Sequence, residues 1–241
     1  MAQVISVLNQ KGGVGKTSTA LALLSGLHRR GKKTLGIDFD PQCNFTYTTG
    51  TAGSFTVLNA LQGMKAANCI QETEHGSFIA GSEDLTAYTG KPEALKEVIK
   101  PLLSQFEYIV IDTPPTLGQL TIMSLCACNG VVIPTQADIY SLQGIVNLTK
   151  TLKTVTDTVN KDLQIYGILF TRYNARAVIT KDLTDSLQEY ADTAGLKVYQ
   201  TRIRESVSIR EAQTVKKSIF DYPRTNGAKD YAAFVDEFMN Q

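Results

Sequence analysis

Apolar and polar positions fall in alternating blocks along the chain, and the blocks differ in length and period. Residues 4–8 are a nearly continuous apolar run and predict a strand; residues 18–30 read as a helix. Gly31 ends that helix, and residues 33–38 predict a second strand, stopped by Pro41. The polar segment 44–54 predicts exposed turns. Residues 56–61 predict a short helix and residues 76–81 a short strand between glycines. Pro92 suits the first turn of a helix that carries Leu95, Val98, Ile99, Leu102 and Leu103. Residues 108–112 form an apolar run ended by an acid, as in a strand buried on both faces. A helix over 120–128, a strand over 130–134, a long helix over 138–158 and a strand over 165–170 follow. The chain closes with a helix over 179–194, an edge strand over 197–199 and helices over 207–212 and 228–239. Strands alternating with helices predict the α/β class, a doubly wound, mostly parallel sheet flanked by helices.

The length of 241 residues suits one domain spanning 1–241, and no linker-like segment divides it. A formal charge of +1 confines any nucleic-acid site to a local patch. No stretch reads as a signal peptide or a membrane span. The cysteines at 43, 69, 126 and 128 match no disulfide or zinc spacing, and His28 and His75 lie apart. The expectation is a cytoplasmic protein with reduced thiols.

Between the first strand and the first helix stands Asn9-Gln10-Lys11-Gly12-Gly13-Val14-Gly15-Lys16-Thr17, followed by Ser18. Strand, glycine-rich loop and helix make a phosphate-binding loop. Without side chains at 12, 13 and 15, successive backbone N–H groups can turn inward on a polyphosphate. The helix adds its free N-terminal N–H groups and positive dipole end. Lys16 is expected to reach the outer phosphates of a bound nucleotide, and Thr17 to hold magnesium. The acids that end strands, Asp38, Asp40 and Asp112, are expected at the same end of the sheet.

The loop variant K-G-G-x-G-K-S/T resembles the deviant Walker A motif of the ParA/MinD family of ATPases. Asp112 after Y-I-V-I resembles a Walker B acid, holding magnesium directly or through water. The segment I-D-F-D-P-Q resembles the family's second acidic motif. On that resemblance Asp40 orients or deprotonates the attacking water, and Asp38 supports the magnesium shell. Lys11 is then the lysine that crosses a dimer interface to the partner subunit's nucleotide, so the ATP state is a sandwich homodimer. The segments 134–144, 207–214, 220–222 and 227–234 extend the resemblance over nearly the whole chain, closest to the small, Soj-like ParA proteins. Met1 stands almost at the first strand, so no N-terminal helix-turn-helix is expected.

One departure is local. Small ParA proteins usually carry a proline–arginine pair in a loop near adenine, and here that place reads Ile203-Arg204-Glu205. Composition leaves two readings of Arg172, Arg176, Arg202, Arg204, Arg210, Lys216 and Lys217 equally open: a solvated charged face, or a DNA-binding patch. The resemblance favours non-specific DNA binding and implies a ParB-type centromere-binding partner, partition of a plasmid or chromosome, and association with the nucleoid. The acidic C-terminal segment argues against a MinD-like membrane anchor. One alternative keeps the ATPase and positions a protein cargo; another, from a different class, is a metabolic ATP-dependent amidase or synthetase on the same scaffold.

Overall fold

The computed structural model describes residues 1–51 and 54–241. In chain order the elements are β1 (Gln3–Val7), α1 (Lys16–Arg29), β2 (Thr34–Asp38), α2 (Asn44–Thr49), α3 (Val57–Leu61), β3 (Ile70–Thr73), β4 (Gly76–Ile79), α4 (Ala94–Ile99) and β5 (Tyr108–Asp112). Then come α5 (Gln119–Ala127), β6 (Gly130–Thr135), α6 (Ile139–Thr158), β7 (Gln164–Phe170), α7 (Val178–Thr193), α8 (Val207–Thr214) and α9 (Asn226–Met239).

The seven strands form one sheet in the order β3-β4-β2-β5-β1-β6-β7. Only β3, at one edge, runs antiparallel to its neighbour. The apolar runs lie where continuous burial demands them, since β2, β5 and β6 have both faces covered. Alternate residues of β5 feed opposite layers. Ile109 and Ile111 pack with α3 to α7, whereas Val110 packs with α1, α2, α8 and α9. The helices therefore cover both faces, as the alternation of elements implied.

In-register pairing sets the ends of three strands side by side: Val7 pairs with Asp112 and Asp112 with Asp38. Asp38 and Asp112 are thus neighbours because β2 and β5 stop at the same level.

Three expectations change. The segment 44–54 is not a run of exposed turns: α2 occupies its first half, and residues 52 and 53 lie outside the described residues. A single apolar residue anchors α2. Phe45 is fully buried, with its ring edge-on to Phe78 at 4.9 Å, and such burial contributes about 1.5–3 kcal/mol. Next, β3 is too polar to have been read as a strand, and pairs as an edge. Finally, the strand expected at 197–199 is reduced to one bridge, between Val198 and Ile168.

Candidate functional site

The loop from Asn9 to Gly15 joins β1 to α1. Gly13 and Gly15 have φ of 74° and 85°, left-handed values that cost other residues about 1–2 kcal/mol each. Gly15 sits directly before α1, so the turn and the free N-terminal N–H groups of the helix face the same space.

Residues far away in sequence fasten the loop. Asn9 donates its Nδ2 to the Pro134 carbonyl at 2.8 Å and accepts the Lys11 backbone N–H at 3.0 Å. Gln136 donates to the Gly13 carbonyl at 3.0 Å. Thr171, at the end of β7, donates its hydroxyl toward the Val14 and Thr135 carbonyls at 2.7 and 3.0 Å. Sequence reasoning assigned none of these three a role; their only signal is position just beyond apolar strand runs.

Below the loop, the Thr17 hydroxyl donates to Asp112 Oδ2 at 2.6 Å. Asp112 is fully buried, and its Oδ1 has no hydrogen-bond partner. Burial pushes its carboxyl well above the usual range; neighbouring Asp38 adds to the shift, and the Thr17 hydrogen bond opposes it. Burial likewise raises Asp38 to about 6. Lys16 is buried, with Nζ 3.3 Å from the Lys11 carbonyl, and desolvation lowers its pKa against the pull of Asp112 and Asp40. A buried ammonium beside buried carboxylates, one with an orphaned oxygen, is a place where added phosphate and a divalent cation would balance charge.

Asp40 lines the cavity, and its Oδ1 accepts the Gln42 N–H at 3.0 Å. Asp38 does not line the cavity. Its oxygens accept from Thr46 and from the Asp40 backbone N–H, and its strand-end neighbour is Asp112.

Lys11 Nζ reaches Asp138 Oδ2 at 2.5 Å within the same chain. Burial works against ionisation of Asp138, but Lys11 and Ser141 outweigh it and hold the carboxyl below its usual range. The same carboxylate caps α6, accepting the Tyr140 and Ser141 N–H groups.

The cavity, of about 670 Å³, runs from Gly12–Ser18 past Asp40 to a wall formed by Ile203, Arg204 and Glu205. Tyr47 and Tyr231 also line it. Of the basic residues expected to form one patch, several are engaged within the fold. Arg204 grips the carboxylate of Asp230. Arg172 pairs with Glu205 at 3.1 Å, and Arg202 lies over the rings of Phe170 and Tyr173. Arg210 lines the cavity, and Lys216 lies 4.9 Å over the Tyr47 ring. Arg176 and Lys217 are exposed.

Comparison with known proteins agrees with this arrangement. A family model described as an AAA domain matches residues 2–165. The chromosome-partitioning ATPase Soj of Thermus thermophilus is 35% identical over 240 residues, covering 98% of this chain and 94% of that protein. Among solved structures, the cell division ATPase MinD of Pyrococcus furiosus superposes with a TM-score of 0.84 at 25% identity, covering 100% of this chain and 99% of that one. Cobyrinic acid a,c-diamide synthase of Mycobacterium smegmatis, with bound ATP analog and magnesium, gives 0.83 at 28% identity, covering 98% and 93%. Phosphate loop, strand-end acids and near-complete coverage by a Soj relative agree, and the chain belongs to the ParA/Soj family of partition ATPases.

Proposed function

We propose that this protein is an ATP-driven switch that partitions DNA: it closes as a homodimer on ATP, binds DNA without sequence preference, and releases after hydrolysis. The observation that carries the reading is the Thr17–Asp112 pair beneath the glycine loop, with the second oxygen of Asp112 unpartnered and Asp40 facing the same cavity.

The triphosphate would lie along Gly12, Gly13, Val14, Gly15 and Lys16, with Ser18 at the α1 N-terminus. The ammonium of Lys16 would meet the outer phosphates. Among the described residues no group of three or more His, Cys, Asp or Glu side chains makes a metal cage. That fits magnesium, which takes one or two protein oxygens and completes its shell from phosphates and water. Thr17 and Asp112 would hold it, and when bound it neutralises charge on the phosphates. Asp40 would align the attacking water or accept its proton. Lys11 would leave Asp138 for the partner subunit's nucleotide, adding positive charge where the transition state spreads negative charge. A ParB-type partner would accelerate turnover, and the ATP dimer would reside on the nucleoid. The relative named for chromosome partitioning supports this task over the others.

The synthase resemblance supports a second reading, an ATP-dependent amide-forming enzyme. It would need a second substrate site. A 390 Å³ depression at the amino ends of β1 and β5 has Glu107 as its sole charged side chain, paired with Lys32, and neither histidine nor cysteine.

The deciding experiment is binding to random-sequence duplex DNA with magnesium and ATP, ADP or no nucleotide, across a salt series. Tight, salt-sensitive binding only with ATP is expected. ATP-dependent dimers that ignore DNA even at low salt would overturn partition and favour a protein cargo.

A further inference from the structure

Asp38 is wholly buried at the end of β2, and three donors occupy its carboxylate. Oδ2 accepts the Thr46 backbone N–H at 2.8 Å and the Thr46 hydroxyl at 2.7 Å, while Oδ1 accepts the Asp40 N–H at 3.1 Å. The Thr46 hydroxyl in turn accepts the Gly81 N–H at 2.8 Å. Gly81 follows β4 and packs flat on Asp38: a Cβ there would stand 3.0 Å from the Asp38 Cγ and 3.2 Å from its Cβ. Three segments that are separate in sequence therefore meet on one carboxylate, and its output is the backbone of Asp40.

From this geometry we infer that Thr46 is a positioning residue for hydrolysis: by fixing Asp38 between Gly81 and Asp40, it sets the direction in which Asp40 faces the cavity. The inference rests on the ATPase reading and deepens it. Thr46 itself does not line the cavity, whereas its neighbours Asn44 and Tyr47 do. Its hydroxyl is suited to the task because it donates and accepts at once, bridging an N–H and a carboxylate that could not bond each other in this arrangement. Valine has nearly the same shape and can do neither, so Asp38 would lose one of its two Oδ2 donors and the Gly81 N–H its acceptor. A burial this complete makes both losses felt at the neighbouring backbone.

The test is steady-state ATP hydrolysis by the full chain with magnesium, for wild type, Thr46→Val, Thr46→Ser and Gly81→Ala, alongside titration with a fluorescent ADP. Displacement of the water-orienting carboxylate by a fraction of an ångström to one ångström should lower kcat by about 10- to 100-fold for Thr46→Val. KM and ADP affinity should stay within about threefold, because the phosphate loop is untouched, and Thr46→Ser should recover most of kcat. If Thr46→Val does not fold, Gly81→Ala serves instead, since its methyl pushes on Asp38 while leaving the Thr46 hydroxyl in place; the same kcat-selective loss is expected. Undiminished kcat in the folded variant, or equal losses of kcat and ADP affinity, overturns the inference alone. A wild-type protein that turns over no ATP overturns the functional reading and the inference with it.

Discussion

Lys11 and Asp138, 127 positions apart, meet at 2.5 Å between the phosphate loop and the first turn of α6. The pair is a tether weak enough to open. Its side chains are 38% and 29% exposed, so it contributes only about 0.2–1 kcal/mol after screening. Asp138→Asn keeps an acceptor for the cap of α6 but removes the charge that holds Lys11. ATP-dependent dimerisation, measured by analytical ultracentrifugation, should therefore strengthen by up to about fivefold in Asp138→Asn. Dimers weakened as much as by Lys11→Ala would mean that Asp138 belongs to the dimer contact itself.

Asp112 makes a second case in which charge and function separate. Burial disfavours its ionised form and leaves one oxygen unmet, at a cost to the nucleotide-free fold. Asp112→Asn should leave the apo protein as stable as wild type or more so, while reducing hydrolysis by at least about 100-fold through loss of magnesium. Thermal melts without ligand, beside phosphate-release assays, check both halves. An apo fold clearly weakened by the amide would contradict the origin assigned to the shift.

The phosphate loop was legible because its chemistry is contiguous: glycines, lysine and threonine stand within nine positions after an apolar run. Asp112 was legible because it ends such a run. What fastens the loop was not, since Asn9, Gln136 and Thr171 act across the sheet on partners 123 to 157 positions away. In α2 a polar composition concealed one anchoring phenylalanine, because a helix of six residues needs only one buried side chain to dock. For the basic residues the composition left a solvated face and a DNA-binding patch equally open. Composition counts charges, but only geometry tells that Arg172, Arg202 and Arg204 already have partners.

The segment leading to the cavity wall carries a pH-dependent tie. Glu237 on α9 accepts the Gln200 and Thr201 N–H groups at 2.8 and 2.9 Å. Burial opposes its ionisation, but the hydrogen bonds from Thr201 and Gln200 win and hold the carboxyl below its ordinary 4.5. A depressed folded-state pKa contributes stability above the unfolded value and loses it as pH falls through the folded one. Glu237→Gln should thus cost about 1 kcal/mol near neutral pH, a figure reduced for solvent screening. The difference from wild type should shrink below pH 4.5 and vanish under more acid conditions. Urea unfolding at neutral and acid pH gives the comparison, and a pH-independent difference would assign the loss to packing.

Packing governs Gly26, where α1 crosses α9. A Cβ there would stand 2.7 Å from Val235 Cγ2 and 3.1 Å from the Phe220 ring. Helix propensity favours alanine by about 1 kcal/mol, yet overpacking of this kind costs about 1–3 kcal/mol. Gly26→Ala should lower the melting temperature despite the better helix former. An unchanged or raised melting temperature would mean that α9 shifts freely, and with it the Arg204–Asp230 pair it carries.

Arg204 is a candidate for both the nucleotide and DNA, and its surroundings separate the two. Its Nε lies 2.9 Å from Asp230 Oδ2, its backbone N–H donates to the same oxygen, and its side chain forms part of the cavity wall. The Asp230 side chain is only 10% exposed, so Arg204→Ala strands a nearly buried carboxylate. Buried pairs broken from one side cost about 3–5 kcal/mol; with the guanidinium half exposed, about 1–2 kcal/mol is expected here. Arg204→Ala should therefore lower stability and nucleotide affinity. Once saturated with ATP, its DNA binding should keep the wild-type salt dependence. Arg176→Ala and Lys217→Ala, which alter exposed charges, should do the reverse: unchanged melting temperature, weaker DNA binding, and a salt slope reduced by about 1 for each phosphate no longer neutralised. If Arg204→Ala instead flattens the salt slope with stability intact, its pairing with Asp230 opens on DNA, and the cavity wall itself is part of the DNA-binding face.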